Sequence, residues 1–174
     1  MGTKRVGWAR IKSLVNENQN ELSRRNRRII AASADKTLSA SESGATILWT
    51  KGTSHTITLP AAEAGLNFKV VIKKSSDNLH KIAAASGDCF FGQVIVQSSN
   101  ATHDSAMQQV VYATAVADPG DYDHLHIDGN ASTTGSGVGS VIELECVDGT
   151  AWRVTALLVT SAASPASIST IQAS

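Results

Sequence analysis

The residues with the clearest capacity for chemistry lie between positions 118 and 128, where acidic side chains surround two histidines. His124 and His126 are two residues apart, and on a strand this spacing places both imidazoles on one face, where a metal ion could bind. Leu125 and Ile127 would then face the core. A polar strand face explains the cluster better, and the glycine that a calcium loop requires is missing. We therefore predict no metal and no cofactor here. The acidic residues are Asp118, Asp121, Asp123 and Asp128.

Other patterns associated with catalysis are incomplete. The glycine-rich run 135–139 precedes a predicted strand, whereas a phosphate loop needs the amide groups of a helix. Glu143 and Glu145 share one strand face, whereas glycosidase carboxylates flank a sugar from opposite sides. No serine sits in a Gly-x-Ser-x-Gly sequence. We predict that the chain has no catalytic residues and is not an enzyme.

A dense basic cluster lies near the N-terminus, at Arg24, Arg25, Arg27 and Arg28. Arginines neutralise nucleic-acid phosphates, and they pair equally well with carboxylates on another protein. The N-terminal segment lacks interleaved aromatic residues apart from Trp8, and the rest of the chain is not basic. The pattern therefore favours a protein partner and no nucleic acid.

The charge of the chain is divided between two segments. Residues 1–30 hold eight basic and two acidic side chains, a net charge of +6, and residues 31–174 hold seven basic and thirteen acidic ones, a net charge of −6. A basic arm on a mildly acidic body suggests that the arm reaches for a partner. This division argues for assembly, and nothing comparable argues for catalysis.

Composition limits the class of protein. The chain has 174 residues, of which only 17% are charged, and it is rich in small and β-branched residues, as in all-β structural proteins. Cys89 and Cys146 have no Cys-x-x-Cys spacing, and we predict two buried thiols. The sequence lacks the pattern of a signal peptide and of a bilayer-spanning segment. We expect a soluble protein made in a cytoplasm, with no membrane partner.

The basic segment has the pattern of a helix. Positions 9–30 contain no Gly or Pro, and Ile11, Val15, Leu22 and Ile29 recur near helical spacing. Asn18 interrupts this seam, so a coiled coil would be weak. A lone helix of this length is only marginally stable in water. It needs a surface to lie on, which is the same body, a sister subunit or a foreign surface.

From position 35 onward the apolar residues recur with a period of two, which predicts strands. Thr46–Thr50 and His55–Leu59 are predicted to form a hairpin through residues 51–54. Asp148-Gly149 between Val141–Val147 and Trp152–Val159 is a type I′ hairpin signature. We predict a mainly β fold, an antiparallel β-sandwich or jelly roll at 35–160, with a helical arm at 1–34 and a small-residue tail at 161–174. The expected core includes Ile142, Leu144, Trp152 and Val154.

Several of these segments resemble a module of tailed-bacteriophage structural proteins. The resemblance rests on Lys36-Thr-Leu-Ser-Ala-Ser-Glu-Ser-Gly44, on Ile57-Thr-Leu-Pro60 and Gly65-Leu-Asn-Phe-Lys-Val-Val-Ile72, and on Gly139-Ser-Val-Ile-Glu-Leu-Glu-Cys-Val-Asp-Gly149 with Trp152-Arg-Val154. They are similar to capsid decoration (cement) proteins and to some tail-fibre domains. The resemblance implies no catalytic residues. It implies homotrimers that bind the major capsid protein on the outside of a virion, after assembly in the cytoplasm of the bacterial host.

Three interpretations follow. The first is a capsid decoration protein, attached through apolar anchors and charge contacts of the arm. The second is a tail-fibre or head-fibre domain that binds host glycan, which exposed aromatic residues near acidic loops would favour. The third is a β-sandwich hydrolase, which a cleft with a histidine and a carboxylate would favour. The predicted contact residues are Trp8, Ile11, Leu14, Arg24, Arg25, Arg27 and Arg28.

Overall fold

The computed structural model describes residues 7–25, 28–50, 52–74, 80–98, 107–112, 123–127, 137–160 and 171–172. Within these residues the chain forms one α-helix, a short 3-10 helix and twelve strands. The elements are α1 Trp8–Arg25, β1 Ile29–Ala32, β2 Lys36–Thr37, the 3-10 helix Ala40–Glu42, β3 Thr46–Trp49, β4 His55–Thr58, β5 Asn67–Ile72, β6 His80–Ala83, β7 Cys89–Ser98, β8 Met107–Tyr112, β9 His124–Ile127, β10 Val141–Cys146, β11 Ala151–Thr160 and β12 Ile171–Gln172.

The strands form two sheets. The larger sheet has the strand order β1-β3-β5-β10-β11-β7-β8, and the smaller sheet has the order β12-β9-β6-β4-β2. Apolar side chains of both sheets, such as Val70 of β5 and Ile82 of β6, belong to one buried cluster. The prediction of a mainly β, sandwich-like fold with an N-terminal helix is therefore confirmed.

Between positions 29 and 83 the chain alternates between the two sheets. Strands β1, β3 and β5 lie side by side and parallel in the larger sheet. Strands β2, β4 and β6 do the same in the smaller sheet. Each connection therefore crosses from one sheet to the other, and consecutive strands of this region do not pair. The sheets are mixed, where the sequence had predicted antiparallel pairing throughout.

The predicted hairpin between Thr46–Thr50 and His55–Leu59 is wrong, because β3 and β4 lie in different sheets. Each strand has one apolar face, and such faces can be buried either side by side in one sheet or face to face across a core. The chain takes the second arrangement. The rings of Trp49 and His55 meet there with their centroids 4.9 Å apart.

The second half of the chain is mostly antiparallel. Strand β10 pairs with both β5 and β11, so the predicted β10–β11 hairpin is confirmed. Its turn is longer than the two-residue type I′ turn, because Cys146 pairs with Trp152 and five residues lie between them. Gly149 adopts φ 84° in this turn, and the Asp148 carboxylate accepts a hydrogen bond from the Thr150 amide at 2.9 Å. The pairs β7–β8, β6–β9 and β9–β12 are also antiparallel, so residues 171–172 of the predicted tail join the smaller sheet.

The residues predicted for the core are buried. Ile142, Trp152 and Val154 have no exposed surface, and Leu144 is 1% exposed. Period-two alternation with one face buried produces this result directly. Both cysteines are free and buried, as the sequence had predicted.

The N-terminal helix is shorter than predicted. It ends at Arg25, and Ile29–Ala32 forms a strand that pairs in parallel with β3. The β-branched residues Ile29 and Ile30 suit a strand, and the Thr46 amide donates a hydrogen bond to the Arg28 carbonyl at 2.8 Å. Pairing along an open sheet edge therefore outweighs continuation of the helix.

Gly92 is required by close backbone approach. Gly92 of β7 lies beside Val154 of the parallel strand β11 and has φ 133°. A Cβ atom at this position would lie 2.0 Å from the Val154 carbonyl oxygen. Any other residue would have to push the two strands apart, which ties the β7–β11 pairing to this residue type.

Candidate functional site

Helix α1 presents a stripe of apolar side chains to solvent. Trp8 is 78% exposed, Leu14 51%, Val15 49% and Ile11 42%. At 3.6 residues per turn these positions fall on one side of the helix. An exposed tryptophan within such a stripe is unusual for a surface that only faces water, because the hydrophobic effect favours its burial. The stripe is therefore a candidate contact surface, and it holds the three predicted apolar anchors.

The junction between the helix and the β body is held by a buried carboxylate. Glu42 is 7% exposed and accepts a hydrogen bond from the Ser39 amide at 2.9 Å. Its other carboxylate oxygen lies 3.3 Å from the Lys36 ammonium and 3.3 Å from the Arg28 guanidinium. The Ser39 amide and the Lys36 ammonium keep the pKa of Glu42 below its ordinary value, against the opposing effect of burial. This cluster links Arg28, at the junction between the arm and β1, to the 3-10 helix.

The predicted charge contacts have different surroundings. Arg28 is 58% exposed and forms an ion pair with Glu42, so part of its hydrogen-bonding capacity is used within the chain. Arg24 and Arg25 are the last two residues of α1. Arg27 lies outside the described residues. Positions 24 and 25 thus lie at the C-terminal end of the helix, and the apolar anchors lie nearer its N-terminal end.

The His-x-His face of β9 is arranged as the alternation predicted. Leu125 and Ile127 are fully buried, and the rings of His124 and His126 stand perpendicular with centroids 5.9 Å apart. His124 Nδ1 lies 2.5 Å from the carboxylate of Asp123. Residues 118, 121 and 128 of the acidic cluster lie outside the described residues.

Burial and neighbouring charges shift the pKa of His126. Partial burial lowers this pKa, the positive charge of the cross-strand neighbour Lys81 and the nearby His124 lower it further, and Asp123 acts in the opposite direction. Within the described ranges no group of three or more His, Cys, Asp or Glu side chains could hold a metal ion. A polar strand face with one His–Asp contact accounts for the arrangement.

Sequence reasoning missed a buried cluster of Trp49, His55 and His80 between the sheets. His55 and His80 are directly opposite each other on β4 and β6, with ring centroids 4.9 Å apart, and Trp49 lies 4.4 Å from the His80 ring. His55 shares its strand face with the buried Ile57, and His80 shares its face with the buried Ile82. Each histidine is two positions from a buried isoleucine on its strand, and this spacing was the signal that could have placed both histidines in the core.

The two buried histidines differ in their hydrogen bonds. His55 Nδ1 lies 3.1 Å from the Trp49 indole nitrogen and 2.8 Å from the Thr53 carbonyl oxygen, and one tautomer can satisfy only one of these contacts. Both ring nitrogens of His80 lack a hydrogen-bond partner among the described residues. Burial, together with the neighbouring His55, lowers the pKa of His80 to about 4. His80 is therefore neutral at pH 7 and has no access to solvent through which to act as an acid or base.

Glu143 and Glu145, the two carboxylates on one face of β10, line a shallow depression of about 430 Å³ on the larger sheet. Glu143 is paired with Lys69 at 3.0 Å, and Glu145 is paired with Arg153. No histidine lines this depression. The two carboxylates lie on one strand face and each has its own cationic partner, whereas the carboxylates of a glycosidase flank the sugar from opposite sides.

Comparison of the chain with protein-family profiles, with curated proteins and with solved structures finds no match. Among the described residues, no helix is long and apolar enough to cross a membrane. The contact surface on α1 therefore has to be interpreted from its own geometry and from the sequence patterns.

Proposed function

We propose that this chain is a structural virion protein that binds the outside of a phage capsid as a trimer and stabilises the shell. Helix α1 is the attachment element, and the β body is the part that stands on the capsid surface. The major capsid protein is the proposed partner. The proposal combines the resemblance of the β segments to decoration proteins with the geometry of the helix.

The observation that carries the proposal is the exposure of Trp8, Ile11, Leu14 and Val15 along one side of α1. An isolated 18-residue helix is marginally stable in water, and its stability in proteins comes mainly from packing of its apolar face. Burial of each such side chain against a partner contributes about 1.5–3 kcal/mol. The helix therefore gains both stability and affinity from a surface that covers the stripe.

Multivalency supports a trimer. An exposed arginine contact contributes only about 0–1 kcal/mol, and a single arm gives modest affinity. Three arms joined in one particle bind with a combined affinity that exceeds each single contact by about 10²–10⁴-fold when the geometry permits simultaneous engagement. A trimer that bridges several shell subunits would add buried surface between them and so resist expansion of the shell.

The test is binding of the purified protein to capsids of the encoding phage from which this protein has been removed. The main variant replaces Trp8, Ile11 and Leu14 with alanine, and the matched control replaces Ser13 and Asn16, on the opposite side of the helix, with alanine. We expect the first variant to lose capsid binding in co-sedimentation and the control to bind like the wild type. Both variants should keep the wild-type thermal unfolding of the β body.

A truncation provides a second arm of the experiment. Deletion of residues 1–26 removes α1 but leaves β1 and the contact between Arg28 and Glu42 intact. Full-length affinity in this truncated protein would contradict the assignment of the arm as the anchor. Binding of the intact protein to host-cell envelopes and not to capsids would instead support the fibre interpretation.

A further inference from the structure

The outer face of the larger sheet carries an apolar row that the proposed function does not use. Cross-strand pairing joins Ala31 of β1 to Leu48 of β3 and Leu48 to Val71 of β5. The row continues through Val141 of β10, Leu157 of β11 and Ile95 of β7. These last pairs are Val71 with Val141, Val141 with Leu157 and Leu157 with Ile95. On six adjacent strands, the residues that lie directly beside one another at this register position are therefore all apolar.

This row faces away from the core. The strand neighbours of its members, such as Ile47, Val70, Ile142 and Leu158, are fully buried between the sheets, so the alternation directs the row outward. Leu157 is 46% exposed, and the other five members are half-buried or exposed. The solvent-facing side of a sheet normally carries polar residues at these positions. Residues 7–18 of helix α1 do not cover the row, since they are themselves exposed.

The next two register positions of the same face carry both signs of charge, and they also include the apolar Ile29 and Phe91. Lys69 pairs across the strands with Glu143, and Glu145 pairs with Arg153. These four side chains have no net charge. A patch with two groups of each sign is complementary to an identical patch turned around, and it is poorly matched to a surface of a single sign such as nucleic acid.

The size of the face also fits a second copy. Six strands at about 4.8 Å spacing span about 24 Å, and the strands, which have between four and ten residues, have an average length of about 20 Å. The face thus covers about 500 Å² per copy, so that two apposed faces bury about 1,000 Å² in total, which is the lower limit for a specific interface. An apolar row with paired charges beside it has the arrangement of an interface core and part of its rim.

We propose that this face is a twofold contact between two copies of the chain, in which the apolar rows pack against each other. The contact uses no residue of α1 and is additional to the proposed trimer. A chain that uses it alone is a dimer, and a trimer that also uses it is a hexamer. In both cases a substitution that breaks the contact halves the particle mass, so the test does not depend on the proposed function.

The experiment measures the mass of the full-length protein by light scattering during size-exclusion chromatography. We expect an even number of copies for the wild type and half of that mass for Leu157→Glu, which places a charge in the apolar row. Gln97→Glu adds the same charge to the same face outside the row and should leave the mass unchanged. Circular dichroism and thermal unfolding establish that each variant is folded.

A second substitution covers the case in which Leu157→Glu does not fold. Val141→Thr keeps the shape and the β-branching of the side chain and places a hydroxyl group in the row of both copies. We expect it to weaken association about tenfold or more by analytical ultracentrifugation. A wild type with an odd number of copies would overturn the proposal. So would folded variants that keep the wild-type mass and affinity, because the row would then only stabilise its own sheet.

The arm itself is the alternative occupant, and truncation distinguishes it. If α1 of the same chain covers the row in solution, deletion of residues 1–26 exposes the row and increases the binding of an apolar dye. If dye binding increases and the intact protein has an odd number of copies, the face is covered by the helix. This result would overturn the twofold contact. An even-numbered particle that persists after the deletion supports the proposal.

Discussion

Acidification from pH 6.5 to pH 4 should lower the free energy of unfolding of this protein because of His80. The side chain is fully buried between the sheets, and burial together with His55 lowers its pKa to about 4 from an ordinary value of 6.5. In the unfolded chain the imidazole binds a proton near pH 6.5, whereas in the folded chain it stays neutral until about pH 4. The unfolded state therefore binds more protons throughout this window, and stability falls as the pH falls.

The magnitude follows from the size of the pKa difference. Each pKa unit corresponds to about 1.4 kcal/mol, so the full difference removes about 3.5 kcal/mol of the free energy of unfolding once the pH is well below 4. Between pH 7.5 and pH 5 the loss is about 2 kcal/mol. This is a large share of the 5–15 kcal/mol that is typical of a folded domain, about 10 kcal/mol in the middle of that range. Above pH 6.5 the contribution of His80 is complete and independent of pH.

The assay is urea unfolding at a series of pH values, followed by tryptophan fluorescence. His80→Phe keeps an aromatic ring in the site and removes both nitrogen atoms that lack partners. We expect its free energy of unfolding to fall about 2 kcal/mol less than that of the wild type between pH 7.5 and pH 5. The difference between the two proteins cancels contributions of Glu42 and His126, which are present in both.

Ile82→Val is the matched control, because Ile82 is a buried neighbour on the same strand and does not titrate. It should lower stability by about 0.5–1.5 kcal/mol at every pH, so that its curve runs parallel to that of the wild type. If the curve of His80→Phe is also parallel to the wild type, His80 does not carry the pH dependence, and the reasoning from its burial is refuted.

Three further substitutions test the core, the strand contact and the junction by urea unfolding at pH 7.5. Trp152→Ala should cost about 3–5 kcal/mol because the ring is fully buried, and an unchanged midpoint would contradict its place in the core. Gly92→Ala should cost more than Gly87→Ala, by about 2 kcal/mol or more, because both residues have positive φ but only the first meets a neighbouring carbonyl. Equal losses would refute the close approach. Glu42→Gln should cost about 1–3 kcal/mol, and Glu143→Gln, in an exposed ion pair, about 0–1 kcal/mol. A reversed order would show that the buried carboxylate does not hold the junction.

Local patterns were sufficient for the strands and for much of the core. The alternation in β10 and β11 predicted both their pairing and the burial of Ile142, Leu144, Trp152 and Val154, because a strand directs successive side chains to opposite faces whatever its neighbours are. The same alternation correctly predicted that Leu125 and Ile127 of β9 are buried. The candidate site was predicted in part, since the spacing of Trp8, Ile11 and Leu14 indicates an apolar stripe on a helix, and the structure leaves this stripe exposed.

Pairing between distant segments was not predictable from those patterns. Residues 29–30 continue the helical spacing of the arm although their β-branched side chains suit a strand, and pairing with the open edge of β3 favours the strand. Arg28 was predicted as a free charge contact. Its ion pair with Glu42, fourteen positions away, exists only because the 3-10 helix returns to that edge.

The sequence by itself determined which residues face inward, that the fold is mainly β, that the thiols of Cys89 and Cys146 are buried and that the N-terminal helix has one apolar side. These properties follow from the period of each segment and from residue type, which act over a few neighbouring positions. Only the tertiary structure decided the rest. It placed β3 and β4 in different sheets, brought His55 beside His80 and aligned the apolar row across six strands. The physical reason is that the apolar face of a strand can be buried against any other apolar face. Which strands pack together therefore depends on the packing of the whole chain.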